Sequence, residues 1–435
     1  MSTPRRILAI GAYLAAALAA QNAPDQRWNL YFQATSIGQY HPGFDAPYSG
    51  PFSLSSHAEA EVSLTSTAFF GYRLFRDTTV YFNPEVAGGR GFSGTNGVAN
   101  FPNGEMPRVA TAAPKPYIAR LYVTHDFALG PGRESLTTQP NQLGGERPTR
   151  RYSVTAGRFS LTDFFDNNRY SHDPRSQFMG WAAMYNGAWD YPADTRGYTW
   201  GWVHELHMKT WSVRYATTAE PRTANGPRFD RRLLRDHGDV FEGELRITPR
   251  GHAGAIRALS YFNHADAGTY AEAAAMPQPD ITATRRPGTL KYGFGLNVEQ
   301  ELTRNVGVFG RLGWNDGKTE SYAFAIIDRL ASAGVSVSGA LWKRPDDTAA
   351  TAVIVTGISG VHGLYLASGG NDFMIGDGAL NRGSEYTSET YYNARLRPGV
   401  FASLDLQHII NPAYNRDRGP VWVGSLRLHV EWGVK

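Results

Sequence analysis

The stretch FSLTDFFDNNRYSHDPRSQF, residues 159–178, concentrates the side chains that most invite a chemical role: four Phe, one Tyr, three Asp and two Arg. Asp163, Asp166, Asn168 and Asp173 offer oxygen ligands of the kind calcium takes, but their spacing matches no EF-hand loop and no glycine stands at the turn. HELH, residues 204–207, sets two His about a Glu. The second His comes one residue too early for the HExxH of a zinc protease, and the string alternates as a strand does. GGRGFSG, residues 88–94, has the glycines of a phosphate cradle, yet no helix opens behind it. Acids are frequent enough for a glycosidase pair, but nothing in their linear order sets two of them at the roughly 5 or 9 Å such chemistry needs. The chain has no cysteine, so thiol catalysis and disulfides are excluded. For each string the structural reading is the simpler one, and the sequence carries no catalytic, metal or cofactor constellation. It does not read as an enzyme.

Positioning this stretch falls to its flanks. It opens a segment of about 36 residues, 161–196, without periodicity, and loops of that length are usually functional or disordered. Trp181, Trp189 and Tyr191 point to packing instead of disorder. On either side, RYSVTAGRF (151–159) and GYTWGWVHEL (197–206) alternate with period two. Fourteen further segments do the same: 28–35, 59–75, 80–87, 117–127, 210–218, 239–247, 255–263, 291–302, 305–314, 330–342, 348–359, 385–396, 400–409 and 421–432. Sixteen segments of this length suit tilted membrane strands. Connections alternate as well. RDTT, HMK, TR, KRPDD and RPG are short, whereas those after the first, third and fifth segments are long. An up-and-down barrel with periplasmic turns and extracellular loops produces that rhythm. The connection 128–150 breaks it, being long where a short turn is expected.

A soluble β-sandwich would also alternate, but it has little reason to set Tyr198, Trp200, Trp202, Tyr386, Tyr392, Trp422 and Trp432 on apolar faces; membrane-interface girdles account for them. Arg5 and Arg6, the apolar run Ile7 to Ala16 and Ala17-Leu18-Ala19 read as a signal peptide over residues 1–20, leaving 21–435 as the barrel. Removing it takes away two Arg and no acid, lowering a formal charge of +4 by two. That near-balance gives no reason to invoke nucleic acid.

With Leu, Val and aromatics facing lipid, the opposite faces line a lumen that a sixteen-stranded ring leaves open to water. Arg73, Arg120, Arg214, Arg246, Arg311, Arg395 and Arg427 fall on that side. So do Glu85, Asp126, Glu205, Glu242, Glu244, Glu299, Glu301, Glu389 and Asp405, while Arg158 and Arg257 fit neither face. Charge is tolerable there because on the lipid face it costs roughly 2–4 kcal/mol at the midplane. Arginine forks on a pore wall suit hydroxyl-rich or anionic solutes. If segment 161–196 folds inward, Phe164, Phe165, Phe178 and Trp181 are its packing residues, and Asp163, Asp166, Arg169, Asp173 and Arg175 are its rim charges.

Five blocks then resemble one family, the carbohydrate-selective outer-membrane porins of the porin B type: PEVAGGRGFSGTNGVANFPNGE (84–105), GRFSLTDFFDNNRYSHDPRSQF (157–178), NGAWDYPADTRGY (186–198), WKRPDDTAATAVIVTGISG (342–360) and NPAYNRDRGPV (411–421). The resemblance implies a sixteen-stranded barrel that passes small sugars by facilitated diffusion, its third long loop narrowing the channel. It carries a channel-lining expectation to Asp163, Asp166, Arg169, Asp173 and Arg175, and a weaker one to Glu85, Arg90 and Glu105. Gly424, Leu426, Leu428, Val430 and Trp432 match the spacing of the C-terminal signal read by barrel assembly machinery, although Gly433, Val434 and Lys435 follow. The expected partners are outer-membrane lipid and sugar solutes, with the chain a monomer or a homotrimer. A general or anion-preferring porin is the alternative on the same architecture.

Overall fold

The computed structural model describes residues 25–106, 112–323 and 326–434; the expected signal peptide lies outside the described residues. Eighteen strands follow in chain order. They are β1 (Trp28–His41), β2 (Glu59–Phe75), β3 (Thr78–Gly89), β4 (Lys115–Ala128), β5 (Arg133–Leu136), β6 (Gly145–Pro148), β7 (Arg151–Phe159), β8 (Thr199–His207) and β9 (Trp211–Ala219). Then come β10 (His237–Ile247), β11 (Gly254–Ala267), β12 (Arg286–Thr303), β13 (Val306–Asn315), β14 (Arg329–Ser338), β15 (Thr348–Gly357), β16 (Glu385–Arg397), β17 (Val400–Ile410) and β18 (Val421–Val434). Sixteen of them close an antiparallel ring, each bonded to its neighbour in sequence, with β4 passing directly to β7. Closure is made by β1 against β18, from Leu30 opposite Val434 to Tyr40 opposite Gly424. A ring has no edge, so every ladder N–H and C=O finds a partner without water, which spanning a bilayer demands.

The two faces of each strand invert the rule for soluble proteins. Along β18, Leu426, Leu428 and Trp432 are 50%, 49% and 59% exposed, whereas Arg427 between them is 0% exposed. Outward large apolar side chains and inward buried charges recur from strand to strand. Hydrocarbon is the solvent that makes such an outer surface favourable. Arg257, ambiguous in sequence, is buried on the inner side and bonds Glu244 and Glu299. Arg158, near the end of β7, reaches the rim carboxylate of Asp194 at 2.6 Å.

Tight turns join β2 to β3, where Asp77 adopts φ 61, and likewise β8 to β9, β12 to β13 and β16 to β17. The opposite end carries the long connections, with short helices α1 (Trp181–Met184), α2 (Tyr270–Ala274) and α3 (Gly360–Ala367). The expected strand over 330–342 ends at Ser338, whose side chain accepts from the N–H of Ala340 and starts a single 3-10 turn. Tyr198 corrects an expectation: it is fully buried instead of standing in the outer girdle with Trp200 and Trp202. It precedes the first residue of β8 and follows Gly197 at φ 86, so strand parity does not reach it.

Candidate functional site

The connection between β7 and β8, residues 160–198, has almost no ladder of its own. Its backbone polar groups are met instead by side chains from many strands. Ser160 begins it with a capping box, its N–H donating to Asp163 Oδ2 at 3.0 Å. Asp163 then takes both forks of Arg120 on β4, at 2.7 and 2.6 Å. Asp166, at φ 55, is buried; it donates its N–H to Glu242 of β10 and accepts from Asn297 of β12, both at 2.7 Å. Arg311 of β13 lies 3.1 Å from its other oxygen. The N–H of Arg169 donates to Glu299 at 2.6 Å, and its guanidinium, largely exposed, pairs with Glu301 at 3.1 Å.

Further along, Arg427 of β18 donates to the carbonyls of Pro174 and Gln177, each at 2.7 Å. The N–H groups of Met179 and Gly180 donate to Glu389 of β16 at 2.5 and 3.0 Å. Strands β3, β10, β13 and β16 are well separated around the ring, and one segment touches all of them. Aromatic packing completes the anchorage: Phe178 meets Tyr391 at 5.0 Å and Phe309 at 5.5 Å, and Phe165 meets Trp189 at 6.2 Å. The wall is bare where the segment comes closest. A Cβ on Gly313 would lie 2.1 Å from Asn186 Oδ1, and one on Gly295 would lie 2.4 Å from Asn186 Nδ2.

Arg175 is the most enclosed arginine of the segment. It donates to Glu85 of β3, to Glu105 and to Thr67 of β2, each at 3.0 Å. Burial opposes its charge, but Glu105 and Glu85 hold its pKa well above the ordinary value. Burial likewise pushes the Asp173 carboxyl upward; the charge and N–H of Arg175 outweigh it and keep the group below the usual range. Burial, aided by Arg311, lowers His172. Asp163, Asp166 and Asp173 thus each answer to a different arginine and do not converge as a calcium cage would. In HELH, His204 bonds the exposed Tyr152 hydroxyl at 2.7 Å, whereas His207 turns to Glu205 at 3.3 Å on the inner side, so the two His do not share a ligand position.

Arg120, Asp163, Asp173 and Arg175 come together on a cavity of about 560 Å³, joined by the rings of Tyr185 and Tyr198. The guanidinium of Arg120 lies 5.3 Å from the centre of the Tyr198 ring. Beside it runs a chain of wall charges, with Arg214 bonding Glu205 at 2.9 Å and Glu242 at 2.8 Å, and Arg257 bonding Glu244 at 2.8 Å and Glu299 at 3.2 Å. Arg395 is not among them: it pairs with Asp346 in a short turn at 2.7 Å. Arg246 reaches Glu244 and the carbonyl of Trp211 at the same end. Arg90 stands exposed just past β3, its N–H donating to the Val62 carbonyl.

The cavity has a contributor that alternation did not reveal. The irregular connection 128–150 folds as a hairpin of β5 and β6, and Pro140 and Asn141 at its turn line the same space. Asn83 of β3 donates to Asn141 Oδ1 at 2.9 Å, Asn29 of β1 to the Gln142 carbonyl at 2.9 Å, and Arg73 of β2 to the Gly144 carbonyl at 3.0 Å. All three donors are buried. The excess length of the connection was the available signal. Tyr185 and Tyr198 had none beyond being aromatic.

The family model for the carbohydrate-selective porin, OprB family, matches residues 70–432. OprB of Pseudomonas putida in its high-pH structure is similar with a TM-score of 0.69 at 15% identity, over 97% of each chain. Its low-pH structure gives 0.50 at 12% identity, over 97% of this chain and 96% of that one. An anion-selective porin from Comamonas acidovorans gives 0.50 at 7% identity, over 93% of this chain and 99% of that one. At such identities the structural likeness is one of fold. No curated protein matches the sequence significantly.

Proposed function

The chain belongs to the carbohydrate-selective porin, OprB family, and on that premise we propose that residues 160–198 form the constriction of its sugar channel. Family and fold make the protein an outer-membrane carbohydrate channel, and that supports reading it as a passage without catalytic activity. Solutes cross by diffusion down their gradient. At the constriction the shed hydration of a sugar is replaced by arranged donors and acceptors, Arg120 with Asp163 and Arg175 with Asp173 and Glu105, while Tyr185 and Tyr198 offer faces for the ring. Binding stays weak because a deep site would trap solute and lower flux.

The convergence of two arginines, two aspartates and two phenol rings on one 560 Å³ cavity carries this reading. Each arginine faces a carboxylate, and Glu105 and Glu431 add further acids to the lining, so the cavity presents many hydrogen-bonding groups without a positive field, which favours neutral polyols over anions. Asp166 and Arg311 act as positioning residues that hold the segment, and Asn141 narrows the passage on the side of the β5–β6 hairpin. Arg169 with Glu301, and the wall charges Arg214 and Glu85, extend the polar track. Arg90 and Arg395 flank it at its ends. Residues 21–435 make the exported chain, inserted by the barrel assembly machinery into outer-membrane lipid, as a monomer or a homotrimer.

Liposome swelling with glucose, a disaccharide and an amino acid of glucose-like size tests the proposal. Faster entry of glucose than of the amino acid is expected. Equal entry would reduce the protein to a general porin, and loss of the difference in Arg175→Ala alone would locate the selectivity.

A further inference from the structure

The loop between β9 and β10, residues 220–236, places five arginines on the long-connection end of the barrel. Two of them are spent internally. Arg232 pairs with Asp230 at 2.5 Å and Asp266 at 2.9 Å, and Arg235 with Asp236 at 2.9 Å and Asp266 at 3.0 Å. These pairs consume the neighbouring acids and pin the loop to the end of β11. Arg222, Arg228 and Arg231 remain exposed, with no ion-pair or side-chain hydrogen-bond partner among the described residues. They ring a hollow of about 960 Å³ whose floor is Trp200.

That hollow runs into a second, of about 690 Å³, on the outward faces of β7, β8 and β9. Trp200 and Trp202 line it from the barrel, and Leu233 and Leu234 from the loop, Leu234 being 100% exposed. An arginine-rich chamber thus opens onto an apolar one, the two sharing Trp200, Phe229 and Arg231. Either feature alone would be ordinary. Uncompensated arginine forks directly above an apolar groove match an amphiphile with an anionic head and hydrocarbon tails.

We propose that loop 220–236 and the outward faces of β7 to β9 form a binding site for a phosphorylated glycolipid of the outer leaflet. Its phosphates meet Arg222, Arg228 and Arg231, and its acyl chains lie along Trp200, Trp202 and Leu234. A dianionic phosphate takes two forks better than a phosphodiester does, so a monoester-bearing glycolipid is preferred over phosphatidylglycerol. The site faces lipid on the outside of the ring and is independent of the sugar path.

Native mass spectrometry of the purified protein in detergent, titrated with bis-phosphorylated lipid A, its dephosphorylated form and phosphatidylglycerol, tests this. Preferential retention of the bis-phosphorylated form is expected, weakening as salt rises. The combined change Arg222→Gln, Arg228→Gln, Arg231→Gln should lower its affinity roughly a hundredfold, at about a factor of five for each arginine near an anionic head, while glucose swelling rates stay unchanged. Equal retention of the dephosphorylated form by the unaltered protein would overturn the proposal without any variant. So would equal affinity in the triple Gln variant. Loss of an oligomer in that variant, with lipid retention unaltered, would give the face to a second copy of the chain and overturn it as well.

Discussion

Replacing Arg175 by Ala removes the single cation shared by Glu85 and Glu105, each 3.0 Å away and almost fully buried. Breaking a buried pair by deleting one partner costs about 3–5 kcal/mol, because the remaining charge has neither water nor counterion. Here the loss falls on the hold that β2 and β3 have on residues 160–198, not on the ladder, so the barrel should still assemble. The electrostatic effect is separable. One uncompensated elementary charge about 4 Å from a passing ion in a water-filled passage is worth about 1 kcal/mol, which is about a fivefold change for that ion. Because the bared carboxylate favours a cation and disfavours an anion by that amount, Arg175→Ala should raise the cation-over-anion permeability ratio about 25-fold, read as a shift of reversal potential across a planar bilayer under a salt gradient. Glucose should lose its advantage over an amino acid in the swelling assay. Arg175→Lys should restore the ion preference, because the charge returns, but not the sugar preference, because a lysine cannot bond three acceptors in one plane. Arg73→Ala is the comparison: among the described residues Arg73 bonds the carbonyls of Gln26 and Gly144 and no carboxylate, so its loss bares none there. A reversal potential unmoved in Arg175→Ala, or moved equally by Arg73→Ala, would refute the assignment of Arg175 to the ion and sugar path.

Shortening the hairpin turn by replacing residues 138–143 with a Gly-Ser linker should raise single-channel conductance, since Pro140 and Asn141 leave the cavity they line; unchanged conductance would remove the hairpin from the passage. Gly313→Ala should destabilise the barrel by about 1–3 kcal/mol through overpacking, seen as a lower heat-modifiability midpoint, because the new methyl would meet Asn186 Oδ1 at 2.1 Å. His362 on α3 sits 3.0 Å from Asp328 and 3.2 Å from Asp372, with its ring 4.0 Å from that of Tyr270. Burial works against its charge, but the two carboxylates raise its pKa to about 9. Because that value exceeds the unfolded one, the stabilisation is full below about pH 6.5 and is lost as pH rises through about 9. Hydrogen exchange in α3 should accelerate across that window, and His362→Gln should abolish the pH dependence.

Much of the architecture can be read from period two alone. A strand whose faces meet two different solvents must alternate, and WVGSLRLHVEW alternates whatever it pairs with. The rhythm of short and long connections then orders the strands, since neighbours in sequence are neighbours in the ring. The make-up of 160–198 was legible as residue types, because a segment rich in Phe, Asp and Arg must bury the first and satisfy the others.

Which partners do so was not legible. Arg175 meets Glu85 and Glu105 across separations of 90 and 70 residues, and Asp166 meets Arg311 across 145. Such pairs depend on where opposite walls stand after closure. Tyr198 defied parity because Gly197 turns the chain just before β8 begins, and Asn141 entered the cavity because a connection of unexpected length folded back as a hairpin. Alternation is a local consequence of which solvent each face meets, so a membrane barrel, and the charged side of most of its strands, followed from residue order alone. The lining of the cavity arises from contacts between segments far apart in the chain, and it could be seen only in the folded molecule, because closing the ring is what brings those segments together.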